Sequence, residues 1–209
     1  MDSVVCMGAG FSAGMGIAKS FEKEGVTGKV VFGVVGDSTF FHSGMTGAAE
    51  IVYNKGRMIP CVLDNRITGM TGHQDNPGTG YTLQGDPTAL LSVEKILTAL
   101  GFAPVLTVDP QDLKAMKAAV DQAVAALDAG QQPAIVTRRP CLLIKRDKFR
   151  KGMCRVNADK CRSCCSCLKV GCPAISLENG KAVIDRTQCV GCTVCAQVCP
   201  FDAIEKEEK

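Results

Sequence analysis

Eight cysteines near the C-terminus fall into two copies of one spacing. The first copy is Cys161, Cys164 and Cys167 followed by Cys172-Pro173; the second is Cys189, Cys192 and Cys195 followed by Cys199-Pro200. Three thiolates at i, i+3 and i+6 wrap the backbone around one cube of iron and sulfide, and the cysteine before proline points to a second cube. On that pattern Cys161, Cys164, Cys167 and Cys199 hold one [4Fe–4S] cluster, and Cys172, Cys189, Cys192 and Cys195 hold the other. The spacer from Cys167 to Cys172 is one residue longer than its counterpart, and Cys165 is an extra thiol. A one-residue shift of the ligand set in the first copy therefore stays open. Zinc prefers two separated C-x-x-C pairs, without the third cysteine and the Cys-Pro. The N-terminus shows no signal-peptide pattern, so an oxidising compartment for disulfides is not expected.

The repeat extends past the ligands. Val156-Asn157-Ala158-Asp159-Lys160-Cys161 is echoed before Cys189, and Cys172-Pro173-Ala174-Ile175 is echoed by Cys199 to Ile204. Between the copies, residues 175–184 predict a hairpin around Asn179-Gly180, a type I′ turn pair. This segment resembles a bacterial-type two-cluster ferredoxin domain.

The preceding residues have another character. The chain has 209 residues, 46% hydrophobic and 5% aromatic, enough for a medium domain and a small one. Lys29 to Gly36, Met58 to Asp64, Pro104 to Val108 and Pro133 to Thr137 are near-continuous apolar runs, as buried parallel strands are. Helical patterns lie between them at Ser43 to Tyr53, Asp86 to Leu100 (opened by Asp86-Pro87) and Asp112 to Ala129. Met1 to Cys6 reads as part of a core strand. The expected fold is an α/β doubly wound parallel sheet over residues 1–140, a basic linker at 141–152, and a small α+β ferredoxin-like domain at 153–209.

Net charge is only +3, which argues against nucleic acid as the main partner. No apolar run approaches the ~18 residues that span a bilayer, so no membrane partner and a cytoplasmic location are expected. Arg138, Arg139, Lys145, Arg146, Lys148, Arg150 and Lys151 face only Asp147 within residues 138–151. Such a run is most often a solvated linker; its sharper reading is a docking strip for an acidic redox partner.

Ligands of doubly wound sheets bind beyond the C-terminal strand ends. Here two strands end in Gly36-Asp37-Ser38 and in Asp64-Asn65. A carboxylate and an amide oxygen at neighbouring strand ends suit Mg²⁺ holding phosphate oxygens, although Gly, Asp, Ser and Asn also follow ordinary strands. The order Gly-Asp-Ser, helix, apolar strand, Asp-Asn resembles the thiamine diphosphate motif, with Ser38 where the wider family has glycine. Together with Cys6-Met7-Gly8-Ala9-Gly10, Thr71-Gly72-His73-Gln74 and the fused ferredoxin domain, the chain resembles the alpha-subunit family of indolepyruvate ferredoxin oxidoreductases. These belong to the 2-oxoacid:ferredoxin oxidoreductases. Thr-Gly-His-Gln is more typical of that branch than of the pyruvate enzymes.

The resemblance implies thiamine diphosphate, Mg²⁺ and two [4Fe–4S] clusters as cofactors, with coenzyme A as co-substrate. Asp37, the Asn65 side chain and the Ile67 carbonyl would bind Mg²⁺; Gly8, Ala9, Gly10, Gly36, Ser38 and Gly72 would line the cofactor. Of the only two histidines, His73 is favoured over His42 as catalytic, although a histidine in a polar loop is more often structural. The reaction implied is oxidative decarboxylation of an aryl pyruvate to an acyl-CoA, with electrons passing to ferredoxin. The family's pyrimidine-binding domain, with its activating glutamate, is expected from a missing N-terminal part or a separate chain, alongside a beta subunit. The isolated chain is expected to be inactive. Rival readings are an electron-transfer subunit without catalysis of its own, and the same chemistry on pyruvate or 2-oxoglutarate. Cys6, Cys61 and Cys141 read as buried packing thiols; Cys154 and Cys165 receive no role.

Overall fold

The computed structural model describes residues 2–144 and 152–207. The chain separates into two compact units, Met1–Pro110 with Lys114–Ile144, and Gln111–Leu113 with Lys145–Lys209. No helix among the described residues is long and apolar enough to cross a membrane.

In the first unit the four apolar runs form β1 (Val31–Gly36), β2 (Met58–Asp64), β3 (Val105–Val108) and β4 (Ala134–Arg138). They make one parallel sheet in the order β1-β2-β4-β3. Alternation along β2 explains why these strands are apolar throughout. Met58 and Val62 face a core with Phe11, Met15, Ala48, Ile51 and Leu97, contributed by α1 (Ala9–Lys23), α3 (Met45–Tyr53) and α4 (Val93–Leu100). Ile59 and Cys61 face the opposite side, where α5 (Leu113–Asp128) packs Ala123 and Leu127. Helices thus cover both faces, as the doubly wound expectation requires.

Several local expectations are corrected. The helix expected from Asp86 begins at Val93, because the Ser92 side chain accepts the Lys95 N–H at 3.2 Å. Asp86 and Pro87 are held in a turn, by Thr82 N–H on the Asp86 carbonyl (2.8 Å) and a Tyr81–Pro87 bridge. The helix expected from Ser43 is preceded by α2 (Asp37–Thr39) and a π turn at Phe40–Gly44. Residues 2–5 are not a core strand: Val4 and Val5 are 76% and 71% exposed, and no strand pairs with them among the described residues. Cys6 is exposed, Cys141 half-buried and only Cys61 buried, so the packing role holds for Cys61 alone. Arg138 and Arg139 are not free for docking. Arg138 bonds Asp64 at 2.8 Å and also pairs with Glu94; Arg139 bonds Asp109 at 2.6 Å. The basic residues from Lys145 to Lys151 lie outside the described residues.

Helix α1 was not expected from the sequence, though Phe11, Met15 and Ala18 carry its buried face. It crosses β1 closely at Gly10, where an added Cβ would lie 2.3 Å from the Val34 carbonyl oxygen. Backbone cannot yield as a side chain can, so Gly10→Ala should destabilise by about 1–3 kcal/mol, the usual scale of overpacking. Gly16, with nothing near its Cβ position, is the control. Gly16→Ala in the same helix should stabilise by roughly 0.5–1 kcal/mol. Thermal melts of both variants check the pair.

The second unit contains two antiparallel pairs, β5 (Met153–Val156) with β8 (Ile204–Glu207) and β6 (Ile175–Glu178) with β7 (Lys181–Ile184). The β6–β7 turn has Asn179 and Gly180 at φ 47° and 78°, the double positive φ of a type I′ turn. A 3₁₀ turn, Ser166–Val170, and α6 (Val194–Gln197) complete it. Its core is small and rich in cysteine, with Ala174, Ile175, Ala182, Ile184, Ala203 and Ile204.

Candidate functional site

Strand β1 delivers Asp37 to the C-terminal edge of the sheet, where the chain turns at once into helix. The Asp37 side chain is 2% exposed. Its Oδ1 accepts the Ser38 N–H at 2.8 Å, and its Oδ2 accepts the Asn76 amide at 3.3 Å. Burial raises its pKa above the ordinary carboxylate value; the Ser38, Asn76 and Arg66 hydrogen bonds oppose this and the nearby Asp64 adds to it. None of these influences is a cationic side chain. A buried carboxylate without a counter-charge is expensive, and a hard divalent cation would supply that charge. This donor set fits Mg²⁺.

The neighbouring strand end is wired differently. Asp64 is 4% exposed, yet it is neutralised by Arg138 (2.8 Å) and Arg66 (3.4 Å). Asp64 therefore anchors the loop, whereas among the described residues no cationic side chain pairs with Asp37. Asn65 Oδ1 accepts the Ile67 N–H at 3.0 Å, forming an Asx turn, and Ile67 is buried. Thr68 Oγ1 donates to Ser38 Oγ at 3.0 Å, tying the two strand ends together. Sequence reasoning missed Asn76. Its amide reaches Asp37 while its own Oδ1 accepts the Gly78 N–H at 2.8 Å, and the Asn-Pro-Gly turn was the available signal.

Gly8 caps α1 at φ 90°, and a Cβ there would lie 2.2 Å from Ser43 Oγ. The N-terminus of α1, with Ala9 and Gly10, thus meets the helix that starts from Gly36 and Asp37. Helix N-termini present free N–H groups to phosphate. His73 is exposed at φ 65°, after Gly72 at φ 118°. Its N–H donates to the Thr68 carbonyl at 3.1 Å, and Thr68 bridges to Gln74. Among the described residues no hydrogen bond or ion pair joins the His73 imidazole to Asp37. His42 is exposed on the π turn.

In the second unit one small cavity is lined by Cys161, Cys164, Cys167 and Cys199, together with Ala182 and Ile204. The first motif and the Cys-Pro of the second are therefore brought together. Cys165 also lines this cavity. The Cys161 pKa is lowered first by the Ala182 N–H and then by that of Ser163; that of Cys164 is lowered by the Ser166 hydroxyl and N–H. Those N–H groups suit metal-bound thiolates. Around the second motif, burial and then the neighbouring Cys154, Cys192 and Cys189 push Cys195 up to about 12. Cys172 is half-buried against the same core. Among the described residues no three metal-binding side chains converge on one ion.

Comparison with known proteins agrees with both halves. A family model, "Thiamine pyrophosphate enzyme, C-terminal TPP binding domain", matches residues 1–137, and "4Fe-4S binding domain" matches residues 182–205. Indolepyruvate oxidoreductase subunit IorA of Pyrococcus abyssi is 38% identical over 99% of this chain and 34% of its own length. The IorA of Thermococcus kodakarensis is 39% identical over 98% and 34%. The chain thus spans about a third of the length of these curated relatives. Among solved structures, 2-oxoglutarate:ferredoxin oxidoreductase from Magnetococcus marinus has a TM-score of 0.51 at 17% identity. It covers 65% of this chain and 46% of that one, a likeness of fold.

Proposed function

Because the chain belongs to the thiamine pyrophosphate enzymes, in their C-terminal cofactor-binding domain, we propose that it is the diphosphate-binding and electron-transfer part of a 2-oxoacid:ferredoxin oxidoreductase. Its substrate is indolepyruvate or a related aryl pyruvate, and its product an acyl-CoA. The observation that carries this reading is the buried Asp37 carboxylate at the end of β1, which has no cationic partner among the described residues. An electron-transfer subunit with no cofactor of its own has no use for that costly group. The substrate class follows the relatives' name, indolepyruvate oxidoreductase.

In this reading Asp37, the Asn65 amide oxygen and the Ile67 carbonyl hold Mg²⁺, and the α1 N-terminus with Gly36 and Ser38 holds the diphosphate. Thr68 positions the Ser38 hydroxyl, and Asn76 orients the Asp37 carboxylate. Gly72 gives the backbone turn that places His73 at the edge of the site, where its imidazole can exchange a proton with substrate. When bound, thiamine diphosphate supplies the carbanion chemistry and the two [4Fe–4S] clusters supply one-electron transfer to ferredoxin. Residues 1–140, 141–152 and 153–209 serve as cofactor domain, basic linker and cluster domain.

The remaining two thirds of a relative's length includes, in this proposal, the pyrimidine-binding domain, and a beta subunit completes the enzyme. An uncovered apolar strip supports the need for more polypeptide. Phe32 and Val34 on edge strand β1 and Leu63 beside them on β2 are 41%, 49% and 46% exposed on the face that α5 covers elsewhere. The test is assembly: the chain, a pyrimidine-domain polypeptide and the beta subunit, anaerobic, with coenzyme A and a viologen dye. Indolepyruvate-dependent dye reduction is expected. Reduction with pyruvate or 2-oxoglutarate but not indolepyruvate would overturn the substrate assignment.

A further inference from the structure

The two halves of the cluster unit are related by repeat, and they differ at one telling position. Strands β5 and β7 each precede the first cysteine of a motif. The second residue of each strand donates its backbone N–H to the first cysteine of the opposite motif. Cys154 N–H reaches Cys189 Sγ at 3.3 Å, and Ala182 N–H reaches Cys161 Sγ. Ala182 lines the cavity of Cys161, Cys164, Cys167 and Cys199 with a methyl group. At the equivalent place in the other half the side chain is a thiol. Cys154 is 2% exposed, is not in a disulfide, and lies with Cys195 in the buried core of the unit, its own N–H on Cys189 Sγ.

Resting on the two-cluster reading, we propose that Cys154 is a positioning residue, a non-ligating thiol that offers its S–H to the sulfurs of the second motif beside it and makes the cluster of that motif easier to reduce than its twin. The physical reason is charge. Reduction adds an electron to the cluster and its sulfurs, and a donor aimed at a ligand sulfur stabilises the more negative state. Burial strengthens the effect, because no water competes for the bond. The other half has only the Ala182 methyl at this place, so the two clusters become unequal and electrons acquire a preferred resting point.

The test is a redox titration of the anaerobically purified chain, followed by electron paramagnetic resonance with iron analysis alongside. Cys154→Ala, which copies Ala182, should keep all its iron and move one midpoint to a more negative value, leaving the other in place. Cys154→Ser, which keeps a donor, should restore most of the shift. Ala182→Cys should raise the midpoint of the other cluster. Loss of about half the iron in Cys154→Ala, with Cys172→Ala retaining it, would make Cys154 a ligand and overturn the proposal. Full iron with both midpoints unmoved would overturn it alone. A wild-type chain carrying zinc in place of iron would overturn the cluster reading beneath it as well.

Discussion

Anaerobically purified protein is expected to contain close to eight iron and eight acid-labile sulfides per chain, the content of two four-iron clusters. The expectation rests on two cysteine motifs and on the cavity that gathers Cys161, Cys164, Cys167 and Cys199. Crossed ligation makes a sharper forecast about variants. Cys199→Ser should lose about four of the eight irons, and so should Cys164→Ser, because both remove thiolates from the same cluster. The double variant Cys164→Ser with Cys199→Ser should lose no more than either alone. Cys199→Ser combined with Cys192→Ser should lose nearly all the iron. If the first double variant emptied both sites while the second kept half its iron, the crossing would be wrong. Zinc in amounts matching the cysteines, with little iron, would end the cluster reading altogether.

The second large effect concerns Asp37. In the assembled enzyme, Asp37→Ala should abolish Mg²⁺-dependent binding of thiamine diphosphate, since the cation loses its anionic oxygen. Ligand at a hundred times its dissociation constant stabilises a protein by about 2.7 kcal/mol, and that stabilisation should disappear from the melt of the variant. Without ligands the difference should shrink. Asp37→Asn keeps the shape and an oxygen for the Ser38 N–H, gives up the oxygen that accepts the Asn76 amide, and removes a buried charge that burial disfavours, so the ligand-free variant should melt close to wild type. Iron content should not change in either variant. Asp37→Ala that still bound the cofactor with Mg²⁺ would show the carboxylate to be structural. The isolated chain should show no 2-oxo acid oxidation; turnover without any partner would refute the half-site assignment.

Ion pairing separates this site from its surroundings. Asp37 and Asp64 are both buried at strand ends and look alike in the sequence, yet two arginines neutralise Asp64 while, among the described residues, no cationic side chain pairs with Asp37. Arg138 belongs to a run of basic residues that suggested docking. Only the parallel register of β2 with β4, which sets Asp64 opposite Arg138, shows that this arginine works within the first unit.

Much was legible from short-range pattern. The cysteine spacing names its chemistry because a cube of fixed size admits few backbone paths around it. The four strands stand out because a sheet covered on both faces tolerates only apolar residues, and Asn179-Gly180 marks its turn because both positions need positive φ. Tertiary structure decided what depends on neighbours distant in sequence. The start of α4 at Val93, capped by Ser92, instead of at Asp86 reflects the backbone bonds of the 80–88 turn, and Cys6 lies exposed in a segment that no strand pairs with among the described residues. The Asn76 amide on Asp37 joins residues from separate loops. The roles of Cys154 and Ala182 diverge only when folding sets each against the opposite motif. Residue type and spacing announce a chemistry, while burial and the identity of the nearest charge decide which of two similar groups performs it.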